Sequence, residues 1–143
     1  MIVVLDANVV VSAHISVGPP AEVSRRWQAR ELEALISAEI LGEYDRVLRH
    51  SHLRRLHGLD EAGIELIIAA FAESATVASP TERLSVIPDE TDNRDVECAV
   101  EGEADVIVSG DRHLLTVGEY QGIRVLTPAA FVALLDSVAD EFP

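Results

Sequence analysis

Two apolar patterns alternate along the chain, and their alternation sets the fold class. Residues 2–5 and 104–108 are short, largely unbroken apolar runs rich in valine and isoleucine. Runs of this kind read as strands buried on both faces of a parallel sheet. Residues 124–126 read as another strand, 32–36 as a weaker one, and Val77 begins a further short one. Between them the apolar residues recur at helical spacing. A helix is expected over 8–15, opened by Asp6 or Asn8 as its cap. Gly18-Pro19-Pro20 breaks the chain, and a helix over 21–30 follows, built around Val23 and Trp27. Ser37 caps a helix reaching about residue 50, with Ile40, Tyr44, Val47 and Leu48 on one stripe. Gly58 is a stop. Asp60 opens a helix over 61–74 whose apolar face is Ile64, Ile67, Ile68 and Phe71. Residues 80–88 are a connection, 92–101 a short helix carrying Val96, Ala99 and Val100. Thr127 caps a last helix over 129–138, with Pro128 at its first position. Strands alternating with helices predict an α/β fold: a three-layer α/β/α sandwich around a central, mainly parallel sheet.

Composition narrows the chemistry. At 143 residues, 48% of them hydrophobic, the chain fits one domain, 1–143, with enough apolar surface for a packed core. It carries 25 acidic side chains against 11 basic ones, a formal net charge of -14, and every basic residue is arginine. Without lysine there is no P-loop of the Walker type and no Schiff-base chemistry. A haloacid-type phosphatase is excluded likewise, since it wants a lysine and an Asp-x-Asp pair, and Asn8 stands at the second position. Charge alone will not wrap this chain on a long duplex, although a bound divalent cation inverts such logic locally. The charge is uneven. Residues 1–80 hold 7 arginines and 11 acids, and residues 81–143 hold 4 arginines and 14 acids. A single cysteine, Cys98, permits no internal disulfide. No basic leader with a long apolar run opens the chain and no stretch is long enough to span a membrane, so a cytoplasmic, non-membrane protein is expected.

Ligands of open α/β sheets sit beyond the carboxyl ends of the strands, and two aspartates fall there. Asp6 directly follows residues 2–5. Asp111 follows residues 104–108 after the Ser109-Gly110 turn. If those strands are neighbours, the two carboxylates converge, and crowded carboxylates repel unless a cation binds them. Glu43 lies within the apolar stripe of its helix, and Asp92 opens the helix leading to the Asp111 strand, with Asn93 and Asp95 within a turn. Each has a structural alternative. Asp6 and Asp92 can be helix caps, Asp111 a turn residue, and Glu43 can face water. Asp89, Glu90, Glu97, Glu101, Glu103 and Asp105 read as a solvated acidic face.

Four segments together resemble the PIN domain nucleases. Residues 2–13, IVVLDANVVVSA, resemble their opening, and residues 37–48, SAEILGEYDRVL, their second motif. Residues 92–99, DNRDVECA, resemble the third, and residues 104–115, ADVIVSGDRHLL, the fourth. The resemblance reaches to about Leu135 and is greatest to the small prokaryotic members grouped with VapC-type toxins. It implies a PIN-like, Rossmann-like fold in which Asp6, Glu43, Asp92 and Asp111 are the catalytic acids that hold Mg²⁺ or Mn²⁺. It implies supporting roles for Asn8 beside the first aspartate and for Ser109, where threonine is commoner. Asp95, one turn from Asp92, can equally be the third acid; the spacing to Ala99 favours Asp92.

The chemistry implied is metal-dependent hydrolysis of an RNA phosphodiester. The expected biology is a toxin held off by a cognate antitoxin protein and acting as a homodimer. The basic island around residues 46–57 offers Arg46, Arg49, Arg54 and Arg55 as RNA contacts, with a solvated face or an antitoxin-docking surface as its other readings. His113 reads as a surface residue, and the role of His14 is open. Against the ribonuclease stands a PIN-fold module that binds RNA or protein without cleaving; a structure-specific DNA nuclease would need a clamp or helical arch that this length does not supply.

Overall fold

The structure is a computed structural model that describes residues 1–141. Six strands form one sheet: β1 (Ile2–Leu5), β2 (Glu33–Ile36), β3 (Thr76–Val77), β4 (Val106–Val108), β5 (Glu119–Tyr120) and β6 (Ile123–Leu126). Eight helices connect and cover them: α1 (Ala7–Ser12), α2 (Pro19–Gln28), α3 (Ala38–Leu48), α4 (Ser51–His57), α5 (Glu61–Ser74), α6 (Glu90–Glu101), α7 (Arg112–Val117) and α8 (Pro128–Glu141). The sheet order is β3-β2-β1-β4-β6-β5, parallel throughout except where β5 runs antiparallel to β6. This is the three-layer α/β/α arrangement that the apolar pattern predicts. None of the described helices is long and apolar enough to cross a membrane.

The topology has one feature that matters for function. From β1 the chain steps outward to β2 and β3, then returns through α6 to place β4 on the other side of β1. The strand order therefore reverses between β1 and β4, and in open α/β sheets the crevice at such a switch point is where ligands bind. Leu5 pairs with Val108, so the two strands end level and Asp6 and Ser109 emerge side by side. The Asp6 amide still donates to the Val108 carbonyl at 3.0 Å, which carries the ladder one residue past the strand.

The strands are buried because both faces are covered. Val3, Val4, Ile107 and Val108 are almost wholly enclosed, with Ile36, Ile40, Leu48, Leu114 and Phe131 packed around them. On one side an aromatic trio fills the space between helices: Trp27 stacks on Phe71 at 4.2 Å between ring centroids, and Tyr44 tilts against Phe71 at 4.9 Å.

Several boundaries differ from the sequence expectation for identifiable reasons. The helix expected to open at Asp92 begins at Glu90, because Asp89 is its cap and accepts a hydrogen bond from the Thr91 amide at 2.8 Å. The basic island spans the end of α3 and a separate short helix, α4, closed by Gly58 in the left-handed region at φ 67°, a conformation that costs glycine little. His57 locks that end: its Nδ1 accepts from the Leu59 amide, so Nε2 carries the proton and donates to the Leu48 carbonyl. The edge strand β5 is only two residues long, too short to leave a period-2 signal.

Candidate metal centre

The carboxyl end of β1 delivers Asp6 into a buried position, only 6% exposed. Although Asp6 stands where α1 needs a cap, its side chain makes no capping bond. The carboxylate is held instead from the neighbouring strand. Ser109 Oγ donates to Asp6 Oδ2 at 2.8 Å, and the Asp111 amide donates to the same Ser109 Oγ at 2.9 Å. A relay of Asp111 backbone, Ser109 hydroxyl and Asp6 carboxylate thus ties the ends of β1 and β4 together. From below, the Tyr44 phenol donates to the Leu5 carbonyl, fixing the last turn of backbone before Asp6. Asn8, expected to support Asp6, is exposed, and its side chain makes no hydrogen bond to Asp6 among the described residues; Ser109 fills that role.

Helix α6 brings two more acids to the same place. Asp92 and Asp95 are three residues apart and therefore share a helix face, and that face looks at Asp6. Oxygens of Asp6, Asp92 and Asp95 all lie within 4.8 Å of one another. The choice between Asp92 and Asp95 is thus one the fold does not impose, because both reach the cluster. Asp95 lies deep against the sheet and is 6% exposed, while Asp92 is half-buried nearer the mouth. The Asp111 carboxyl comes within hydrogen-bonding reach of Asp92, and its Oδ1 also caps α7 by accepting from the His113 and Leu114 amides. Glu43 faces the cluster from α3 but is paired with Arg46 through two hydrogen bonds.

The electrostatics follow from burial and crowding. Desolvation raises the Asp6 carboxyl above its ordinary value and Asp111 adds repulsion, partly offset by the Ser109 bond. Asp95 is pushed well above the usual carboxylate range by burial, then by Asp6, Asp92, Glu43 and Asp111. Burial, then Asp111, Asp6 and Asp89, push Asp92 up to about 7. No arginine pairs with Asp6, Asp92 or Asp95 among the described residues. Hard oxygen donors gathered without a protein cation suit a hard divalent ion such as Mg²⁺ or Mn²⁺, so the donor set fits that group.

A family model described as PIN domain matches residues 2–113. The chain belongs to the PIN domain family. That match takes in β1, α3, α6 and the turn after β4, the four elements that carry the acidic residues. The chain is also similar to an uncharacterised protein of Methanocaldococcus jannaschii, 28% identical over 139 residues that cover 91% of this chain and 88% of that one. A PIN domain has a nuclease-type fold, and here the acidic cluster lies at the switch point of that fold.

Two adjoining clefts border the cluster and share Asp6 and Glu43. One, about 730 Å³, is lined by Asp6 and Asp95 together with Arg46, Arg83 and Arg94. The other, about 390 Å³, takes in Asn8, His50, His52, Asp92 and Asp111. The arginines expected to meet RNA fare differently. Arg46 is exposed at the cleft edge beside Glu43. Arg49 is spent on Asp45 and Glu61, a staple between α3 and α5. Arg54 and Arg55 stand on α4, the first half-buried and the second exposed, and neither forms an ion pair among the described residues. His113 is exposed as expected, and His14, also exposed, borders an apolar groove with Trp27 and Phe71, where partial desolvation and then His57 lower its pKa.

One expectation is overturned. Glu97 is not part of a solvated acidic face: it is 3% exposed and its carboxylate takes the Leu84 amide at 2.7 Å, Arg94 at 2.9 Å and Arg83 at 3.3 Å. Asn93, beside Asp92, is also buried; its amide group brackets the 86–89 loop through Val86, Ile87 and Asp89. Their position was the available signal. Asn93, Val96, Glu97 and Val100 follow helical spacing, so the polar pair shares a stripe with the apolar residues.

Proposed function

We propose that this PIN domain is a Mg²⁺- or Mn²⁺-dependent endoribonuclease, the toxin component of a toxin-antitoxin pair, restrained by a cognate antitoxin and acting as a homodimer. The observation that carries the nuclease reading is the convergence of Asp6, Asp92 and Asp95 at the strand switch point with no cation to neutralise them. In this reading Asp6, Asp92 and Asp111 would hold the ion, with Asp95 as a further donor from the same helix and Glu43 as one that Arg46 also engages. A bound ion supplies a water acidic enough to be deprotonated near neutral pH and offsets charge on the phosphate. Ser109 keeps one Asp6 oxygen fixed, leaving the other for the centre. Tyr44 holds the β1 end rigid, and its phenol stays protonated because burial and the nearby Asp95 and Asp6 raise its pKa far above neutral. Arg46, Arg54 and Arg55 line or flank the approach for the strand. The lone thiol, Cys98, takes no part: burial, with Asp95 nearby, pushes it up to about 12.

Glu43 bound to Arg46 and Asp111 committed to capping α7 favour a second reading, a binding module that does not cleave. One assay separates the two. Purified protein is incubated with RNA in Mn²⁺ or Mg²⁺, with EDTA and Asp6→Asn as controls. Cleavage that requires both the ion and Asp6 supports the nuclease; cleavage that survives both controls, or no cleavage with retained RNA binding, overturns it. Co-purification with the product of an adjacent small reading frame, and the mass of the protein in solution, test the antitoxin and the dimer.

A further inference from the structure

The larger cleft has an arginine wall that the acidic centre does not explain. Arg83, in the connection before α6, and Arg94, on α6, converge on the same buried carboxylate, Glu97, whose side chain is 1% exposed. A fully enclosed glutamate with two arginines and a backbone amide on it is a rigid anchor, since all its bonds are charge-assisted. Arg94 is further fixed by donating Nε to the Glu90 carbonyl at 3.0 Å, and Arg83 by donating Nη1 to Glu39 at 2.8 Å. These contacts use Nη1 of Arg83 and the Nε and Nη1 of Arg94. A guanidinium has five N–H donors, so Nε and Nη2 of Arg83 and Nη2 of Arg94 keep donors without a described acceptor. Both residues line the cleft that also holds Asp6 and Asp95.

We propose that Arg83 and Arg94 form a phosphate-binding subsite that holds the backbone of a single-stranded RNA next to the acidic centre, with Glu97 as the positioning residue that orients both guanidinium groups. This rests on the nuclease reading for what the strand is held for, though not for whether it is held. Three features favour a phosphodiester over a simple loop clamp. Both arginines line the cleft that holds Asp6 and Asp95. They are pre-oriented, which lowers the side-chain entropy lost on binding. They also share that cleft with Arg46, so a strand lying along it would meet three arginines beside the acidic centre.

The test uses a fluorescent, unstructured RNA oligonucleotide. Its affinity is measured by anisotropy in EDTA across a salt series, and its cleavage kinetics are measured in Mn²⁺. Arg83 is 65% exposed, so Arg83→Ala is expected to fold. The expected result is about a tenfold loss of affinity, with the salt dependence shallower by about 0.7 in log–log slope for the lost contact, and a kinetic loss that falls on KM more than on kcat. Arg83→Lys should restore part of the affinity and the full salt slope, and Arg94→Lys supplies a second variant that keeps the charge but loses the fork. Arg124→Ala, an exposed arginine on β6, controls for the loss of one charge. Wild-type affinity and salt slope in both Arg83→Ala and Arg94→Lys, or an equal loss in Arg124→Ala, overturn the subsite while leaving any metal-dependent cleavage standing. Arg83-dependent binding with no cleavage by the wild type overturns the nuclease and keeps the subsite.

Discussion

Replacing Asp92 by asparagine should make the metal-free protein more stable. In the folded chain the Asp92 carboxyl is pushed up to about 7, against an ordinary 3.8, chiefly by burial and then by Asp111 and Asp6. A raised carboxyl favours the fold only while protonated. Its contribution is fully present below 3.8, the value in the unfolded chain, and is lost as pH rises through about 7. For a fully enclosed group a difference this large would be about 4 kcal/mol. Asp92 is half-open to water, and screening reduces this to on the order of 1–2 kcal/mol at pH 8. Asparagine has nearly the same shape and no charge at any pH. The variant should therefore melt about 3–7 °C above the wild type at pH 8 in EDTA, with the difference shrinking towards zero by about pH 4. Excess Mn²⁺ should reverse the order, since an ion present at about 100 times its dissociation constant adds about 2.7 kcal/mol to a protein that binds it, and the variant has lost a ligand. Thermal melts over pH, with EDTA and with Mn²⁺, read both arms. A variant that melts at or below the wild type in EDTA at pH 8 refutes the repulsion argument. One that gains as much from Mn²⁺ as the wild type removes Asp92 from the metal centre.

Three further outcomes follow from single contacts. Ser109→Ala removes the one hydroxyl holding Asp6 and should weaken Mn²⁺ binding about tenfold by calorimetry; an unchanged affinity would show that Asp6 is held by its burial alone. Tyr44→Phe keeps the ring contact with Phe71 but deletes the bond to the buried Leu5 carbonyl, and should cost about 1–2 kcal/mol in urea unfolding; a neutral result would mean the carbonyl is satisfied without it. In Gly102→Ala the new Cβ would lie 2.3 Å from Leu35 Cδ2, and Leu35 is 2% exposed and cannot swing into solvent. A loss of about 1–3 kcal/mol is expected by the same measurement, and a variant as stable as the wild type would show that β2 can shift at no cost.

The sheet was legible because its signal is dense. Residues 2–5 and 106–108 are apolar at nearly every position, which is what burial on both faces requires. Asp6 and Ser109 were legible for the same reason, since a polar residue immediately after such a run must lie at the end of the sheet, and Asp111 follows Ser109 by one tight turn. What escaped was polar chemistry inside helices. Helical spacing puts Glu97 and Asn93 on a stripe with Val96 and Val100, but their side-chain type points to water, and their partners, the backbone at Leu84, Val86 and Ile87, lie in an irregular connection that no period describes. The helix start expected at Asp92 lies at Glu90, because Asp89 offers the same side chain one turn earlier, and only the path of the 80–88 connection selects between them as the cap. Asp95 and Asp92 differ by depth alone, which a helical period of 3.6 cannot express for residues on one face.

Taken residue by residue, the charge balance changes what a net charge of -14 means. Arginine is used mostly as internal fastening. Arg26 joins α2 to α8 through Glu22 and Asp136, and Arg49 joins α3 to α5. An element that must hold two partners at fixed angles calls for a planar fork, which lysine lacks. The acids divide differently. Glu22, Asp45, Glu61 and Glu97 are matched by these fasteners, whereas Asp6, Asp92 and Asp95 meet with no cation among the described residues. Part of the unmatched charge thus lies where it is most costly, in a half-enclosed crevice at the strand switch point. Distributed over the surface it would oppose a polyanion at every approach. Gathered at one point it opposes only until an ion is bound, after which the local field is set by the ion and by the arginine wall beside it. Glu65, Glu73, Glu82, Glu101 and Glu103 are exposed and pair with no arginine among the described residues, so surface charge still slows an anionic strand, and its accommodation at the crevice rests on the exchangeable ion and the arginines beside it.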